Sequence, residues 1–220
     1  MSPWNKFPRA LCLPDNCGCE FVDVYAWIAQ PSAFWSSFFH LILAYIFYRS
    51  IAVKDQKMKL WFLSLFLLAL GSLIGHGSFL EIAIASDFAG IILVTSYFSL
   101  YFWISKFRFS TLKLFLFLCL YFIGLTFSFY SLEKWTKVSL CLIVVGLAVF
   151  EMIKHNGLMI FKQKDLQISL VLFLISFGFF LIDELKVFCD PSSWLSGHSL
   201  WHLGTAFGLN YYGRFRLQRL

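Results

Sequence analysis

Seven apolar stretches, at about residues 33–53, 58–79, 82–104, 111–130, 136–153, 166–188 and 198–213, fill most of this 220-residue chain. A helix that crosses a bilayer needs about 20 predominantly apolar residues. The composition agrees, with 60% of residues hydrophobic and only 14% charged, against about 25% charged in an ordinary soluble domain. The expected fold is therefore all-α, a seven-helix transmembrane bundle over 33–213, with an N-terminal segment, 1–32, and a short tail, 214–220. The N-terminal segment contains charges, prolines and three cysteines and no continuous apolar core, so it does not read as a cleavable leader. No internal repeat, low-complexity segment or long linker marks a second domain.

The net charge of +6 raises the question of a polyanionic partner, and the placement of the basic residues answers it. On one side of seven spans lie Arg49, Lys54, Lys57, Lys59, Lys106, Arg108, Lys113, Lys154, Lys162, Lys164, Arg214, Arg216 and Arg219; on the other lie only Lys6, Arg9, Lys134, Lys137 and Lys186. By the positive-inside rule the N-terminus lies outside and the C-terminus in the cytosol. These charges read as topology determinants, and no nucleic-acid partner is expected.

Within this apolar background, GHSLWHLG at 197–204 places His198 and His202 four residues apart. On a helix both imidazoles project from one face, as two ligands of one metal ion require. A third ligand is needed, and GSLIGHGS supplies His76, with Ser72 one turn before it and Asp87 a short distance after it. After a tight turn near 79–82 the chain runs back, and at about 1.5 Å per residue His76 and Asp87 reach similar depth. His198 and His202 open the seventh span on the same outer side. Taken singly, Ser72 reads as a small packing residue, Asp87 as a helix cap and His76 as an interfacial residue. Taken together they read as a site, because ionisable residues inside spans are rare and costly. Asp183, in the sixth span, is a further intramembrane acid that orients a ligand histidine, receives a polar headgroup or sits at the interface; Trp201 lies between the two histidines of the pair. His40, alone on an aromatic face of the first span, reads as a hydrogen-bonded packing residue.

Three imidazoles and an open position describe a catalytic zinc rather than a structural one. Zinc lowers the pKa of a bound water to about 7. Asp87 is placed to take that proton and return it to a leaving group, and Ser72 to donate a hydrogen bond to the developing oxyanion. The inferred reaction is hydrolysis of an amide or ester in a membrane lipid, with the headgroup at the metal and the chains in an apolar cavity.

In the N-terminal segment, CLPDNCGCEFVD at 12–23 holds three of the six cysteines, on the side where disulfides persist, as does Cys189. At least one bridge from this cluster to Cys189 is expected, with Cys19 the first choice. A cysteine zinc site is the rival, and its paired spacing is lacking. The acids of the segment, Glu20 first and Asp23 with it, offer oxygens to a candidate second metal, calcium, or form a solvated acidic loop. Cys119 and Cys141, inside spans, read as small packing residues.

At these residues the sequence resembles the alkaline ceramidases, part of a wider superfamily of seven-span hydrolases that includes the adiponectin receptors. The resemblance is carried by Ser72 and His76 in SLIGH, Asp87 eleven residues on, CDPSSWLSGHSLWHL at 189–203, and CGCE followed by QPSAFW near the start. It implies hydrolysis of ceramide to a sphingoid base and a fatty acid, with zinc on His76, His198 and His202, Asp87 acting on the water and Ser72 beside the metal. It also implies a calcium site in the N-terminal segment and a Cys19–Cys189 disulfide. The phrase around His198 is closest to bacterial members, which implies a bacterial inner membrane with the site facing outward, or the ER or Golgi membrane in a eukaryote. No protein partner is implied.

Other classes of protein place histidines in spans as well. A receptor or lipid-binding protein with a structural zinc, or a hydrolase of another lipid ester, uses the same ligands. A haem protein usually pairs ligands across helices, whereas His198 and His202 share one face. A transporter would show a repeat or matching broken helices.

Overall fold

The computed structural model describes residues 3–10, 18–50, 56–105, 110–156 and 161–217. Seven helices carry them: α1 (Pro31–Ser50), α2 (Gln56–Ser78), α3 (Glu81–Ser105), α4 (Thr111–Phe129), α5 (Lys134–Asn156), α6 (Lys164–Glu184) and α7 (Gly197–Leu217). A short 3₁₀ turn spans Pro3–Lys6. Among the described residues no strand forms, and a single bridge pairs Arg9 with Leu80. Each helix coincides with one apolar stretch to within four residues at either end. Lys54, Lys106, Arg108, Arg219, Cys12, Asp15 and Cys17 lie outside the described residues.

The largest boundary differences are at α6, expected to run to residue 188 and ending at Glu184, and at α7, expected to end at residue 213 and running on to Leu217. Apolar character continues through Val187 and Phe188, but Lys186 and Phe188 take positive φ of 54° and 55°, which a helix cannot hold. Phe188 is 98% exposed, so its apolarity belongs to a loop rather than a span.

Of the described helices, α2, α4 and α6 are long and apolar enough to cross a membrane. Helices α4, α5 and α6 turn large apolar side chains outward, among them Phe115, Leu120, Ile143, Phe150, Leu174 and Ile175. The core lies on the other side of the molecule. Helix α1 packs between α2 and α7, α6 packs on α7, and α3 packs on α2, α4 and α5. No comparable packing joins α5 to α6 among the described residues. The core is filled by Trp61, Leu65, Leu93, Val94, Tyr97 and Leu209, and the Tyr97 hydroxyl donates to Lys57 O at 2.6 Å.

Glycines set how closely the helices approach. A Cβ on Gly71 would come 2.7 Å from Ser86 O, and one on Gly90 would come 2.7 Å from Leu68 Cα, so α2 and α3 touch backbone to backbone beside Ser72 and Asp87. At the turn between them Phe79 adopts φ 54°, and its N–H donates to Gly75 O at 2.7 Å. The N-terminal segment lies over this turn: Ala10 N–H donates to Phe79 O, Ala29 N–H to Gly77 O and Gln30 N–H to His76 O, at 2.9–3.1 Å. Arg9 fastens the same segment by donating to Ser78 O and to Val24 O. A disulfide, Cys19–Cys189, with Cα atoms 5.4 Å apart, ties it to the α6–α7 loop.

Candidate metal centre

The last turns of α2 and the first turns of α7 bring His76, His198 and His202 together. One ring nitrogen from each lies within 4.8 Å of those of the other two. The ring centroids are 4.8–5.0 Å apart in all three pairs. His76 and His202 are 4% and 3% exposed.

Partners on the outer side of the rings decide which nitrogens are presented. His76 Nδ1 lies 2.8 Å from Gln30 Oε1, which only accepts, so Nδ1 carries the proton and Nε2 a lone pair. His202 Nδ1 donates to Ala33 O at 3.1 Å, with the Ser36 and Ser37 hydroxyls close by at 2.9 and 3.2 Å. That tautomer leaves the lone pair on Nε2. The Nε2 atoms of His76 and His198 are buried and have no hydrogen-bond partner. A buried nitrogen without a partner is costly unless it meets a proton or a metal. Three imidazoles, two of them with the other nitrogen tied to a carbonyl oxygen, form a donor set that zinc takes.

Asp87, from the second turn of α3, places Oδ2 3.6 Å from His76 Nε2. Ser72 is buried beside it and shares a hydrogen bond of 3.0 Å with Ser37. All five residues of the SxxxH, Asp and HxxxH set thus meet at one level of the bundle. Below them opens a cavity of about 330 Å³, with His40, Ser72, Asp87, Trp201 and His202 in its wall and Leu209 near its far end. The rest of the lining is mostly apolar, from α2, α3, α5, α6 and α7.

Asp183 is 3% exposed and acts on backbone rather than on a ring. Its Oδ1 accepts from His198 N–H and its Oδ2 from Cys19 N–H, both at 3.1 Å. One carboxylate therefore joins the start of α7 to the N-terminal segment. Although Asp183, Glu184 and His198 also place ligand atoms near one another, Asp183 is committed to these N–H groups and Glu184 pairs with Lys134 at 2.5 Å. Trp201 packs on Phe180, with centroids 5.5 Å apart. His40 contacts Thr205 and packs edge-on against His202.

Glu20 and Asp23 serve as caps. Glu20 Oε1 and Oε2 accept from the N–H groups of Ser32 and Ala33, at 2.5 and 3.0 Å, at the N-terminus of α1. Pro31 precedes them and has no N–H to satisfy. Burial pushes the Glu20 carboxyl above its usual range, against the opposite pull of these two N–H bonds. Asp23 Oδ1 accepts from Tyr25 and Ala26 N–H, at 2.9 and 3.2 Å. Neither carboxylate converges with further acids or histidines among the described residues, and Val22, Pro31 and Ala33 offer no side-chain oxygen. Asp15, the other acid of this segment, lies outside the described residues.

Gln30, Ser36 and Ser37, which orient the histidines, were not singled out from the sequence. Their signal was present in the otherwise apolar QPSAFWSSFFH, as Ser36 and Ser37 one turn before His40 and Gln30 just ahead of the helix. Comparison with known proteins found no matching family model, no matching curated protein and no matching solved structure.

Proposed function

We propose that this chain is an integral multi-pass membrane hydrolase, zinc-dependent, that cleaves the amide bond of ceramide or a related lipid amide to a sphingoid base and a fatty acid. One observation carries the reading: three inward imidazole nitrogens and a carboxylate meet at the mouth of an apolar cavity. The outward apolar faces of α4, α5 and α6 support a membrane setting, since water does not tolerate patches of that extent. The resemblance to alkaline ceramidases, strongest to bacterial members, supports the substrate class and an inner membrane with the site on its outer side.

Held by His76, His198 and His202, zinc supplies Lewis acidity. Asp87 takes the proton of the attacking water and gives it to the leaving amine nitrogen, as base and then acid. Ser72 donates a hydrogen bond to the carbonyl oxygen as negative charge develops there. Gln30 and Ala33 O hold the rings of His76 and His202 in one tautomer. The apolar wall excludes water and receives a lipid chain.

The test is metal content and ceramide hydrolysis on the same purified preparations. Wild type is expected to hold about one zinc per chain. His198→Ala is expected to lose the metal and the activity together; Asp87→Asn is expected to keep the metal and lose about 100- to 10,000-fold in kcat. Bound zinc with no cleavage of any lipid amide or ester would sink the hydrolase reading in favour of a structural zinc.

A further inference from the structure

We propose that Leu185, Val187 and Phe188, where α6 passes into the α6–α7 loop, form with Trp135 at the start of α5 a lipid-binding lip. The lip sits in the headgroup layer of the bilayer, on the side of the metal centre. It requires only that α6 crosses a membrane, for which that helix is long and apolar enough, and does not depend on what the metal centre does.

The length of α6 sets the level of the lip. Its 21 residues, Lys164–Glu184, span about 30 Å. That equals the hydrocarbon thickness of a typical bilayer, about 30 Å, beyond which each headgroup layer adds about 5–8 Å. Charged residues mark both ends, Lys164 and Asp165 at one and Glu184, paired with Lys134, at the other. Past Glu184 the chain folds back instead of rising into water. Lys186 N–H donates to Asp183 O at 3.1 Å and Val187 N–H to Ile182 O at 3.0 Å, with Lys186 in the left-handed region, the pattern of a Schellman cap. Residues 185–188 therefore stay at the level of the helix end, within the headgroup layer.

Their apolar side chains face outward. Leu185 is 68% exposed and Phe188 almost wholly so, with Val187 exposed between them. Val171, Ile175, Ile182 and Leu185 lie four, seven and three residues apart, which puts these exposed side chains on one face of α6. The Lys134–Glu184 pair holds the next residues, Trp135 and Leu185, at one level across the gap between α5 and α6, and Trp135 is exposed as well. Tryptophan favours this depth, where its ring has apolar cover and its N–H has polar neighbours. An exposed apolar patch marks a contact surface. This one is continuous with the face of α6 that lipid covers, which favours lipid over a protein partner.

The experiment places the photoreactive residue p-benzoylphenylalanine, in three separate preparations, at Phe188, at Leu174 in the middle of α6 and at Ser192, an exposed polar residue of the same loop. Each protein is reconstituted into phosphatidylcholine vesicles and irradiated, and lipid adducts are quantified by mass spectrometry. Position 188 is expected to give adducts in yield comparable to position 174 and at least roughly tenfold above position 192, the ratio that burial of one large apolar side chain supports. Adducts at 174 with none at 188, or equal yields at 188 and 192, overturn the proposal. Cross-linking of position 188 to a second copy of the chain, or to the N-terminal segment, overturns it too. Adducts at neither 174 nor 188 overturn the membrane setting of α6 along with the lip.

Discussion

Gln30 holds the far side of His76. The Gln30 side chain accepts from Nδ1 while its backbone N–H donates to His76 O, so one residue fixes both the ring and the helix end that carries it. Gln30→Leu keeps the second bond and removes the first. Its expected effect is zinc affinity about 10- to 100-fold weaker, measured by competition with a chelator, with the helical content unchanged. A variant that binds zinc as tightly as wild type removes Gln30 from the site. At this scale the cluster was legible in the sequence, because His76, His198, His202 and Asp87 are costly groups in apolar runs and announce themselves. Their supports were not. Ser36, Ser37 and Ala33 O act by where they lie across an interface between α1 and α7, which spacing within one helix does not encode.

Elements meet at the site because small residues let them. Gly71 faces Ser86 on α3 one residue before Ser72 and one before Asp87 respectively, so a methyl group there separates the two helices at the level of the chemistry. Gly71→Ala is expected to cost about 1–3 kcal/mol in the unfolding free energy of the purified protein and to lower zinc occupancy with it. Helix boundaries followed from the apolar runs, as length and apolarity are local properties; the early stop of α6 did not, because a loop apolar at Val187 and Phe188 looks the same in sequence as a span. Glu20 was legible as a functional acid, but its role was not. It caps α1, and burial raises its pKa above 4.5. A buried acid whose folded pKa is raised stabilises the fold fully below the unfolded pKa and loses that contribution as pH climbs through the folded value. Wild type is therefore expected to lose stability relative to Glu20→Gln as pH rises from about 4 to about 8, read as the difference between their thermal midpoints. A difference that stays constant over that range shows that Glu20 does not change protonation on unfolding.

For the whole molecule, the order of seven helices was legible and the gap among them was not. Helix α5 rests on α3 and α6 rests on α7, and the cavity reaches Leu142 and Val145 on one and Leu174 and Phe177 on the other. Pairwise packing of helices distant in sequence leaves no trace in either apolar run, so an opening between α5 and α6 is a property of the assembled bundle alone. Leu174 is 72% exposed and also lines the cavity, which places one side chain at both the outer surface and the inner space. In a membrane that surface faces lipid, so a substrate dissolved in the bilayer can enter sideways without passing through water. A tryptophan at Val145 or Leu174 fills this passage and leaves the histidines and Asp87 in place. Val145→Trp and Leu174→Trp are thus expected to lower kcat/KM for a long-chain amide in the bilayer by at least roughly tenfold, about 1.4 kcal/mol of barrier. A short-chain amide that fits the cavity without its chain occupying that passage is expected to be cleaved at nearly the wild-type rate. Equal losses for both substrates would place the obstruction at the chemistry instead, and no loss for either would mean that the lipid enters by another route.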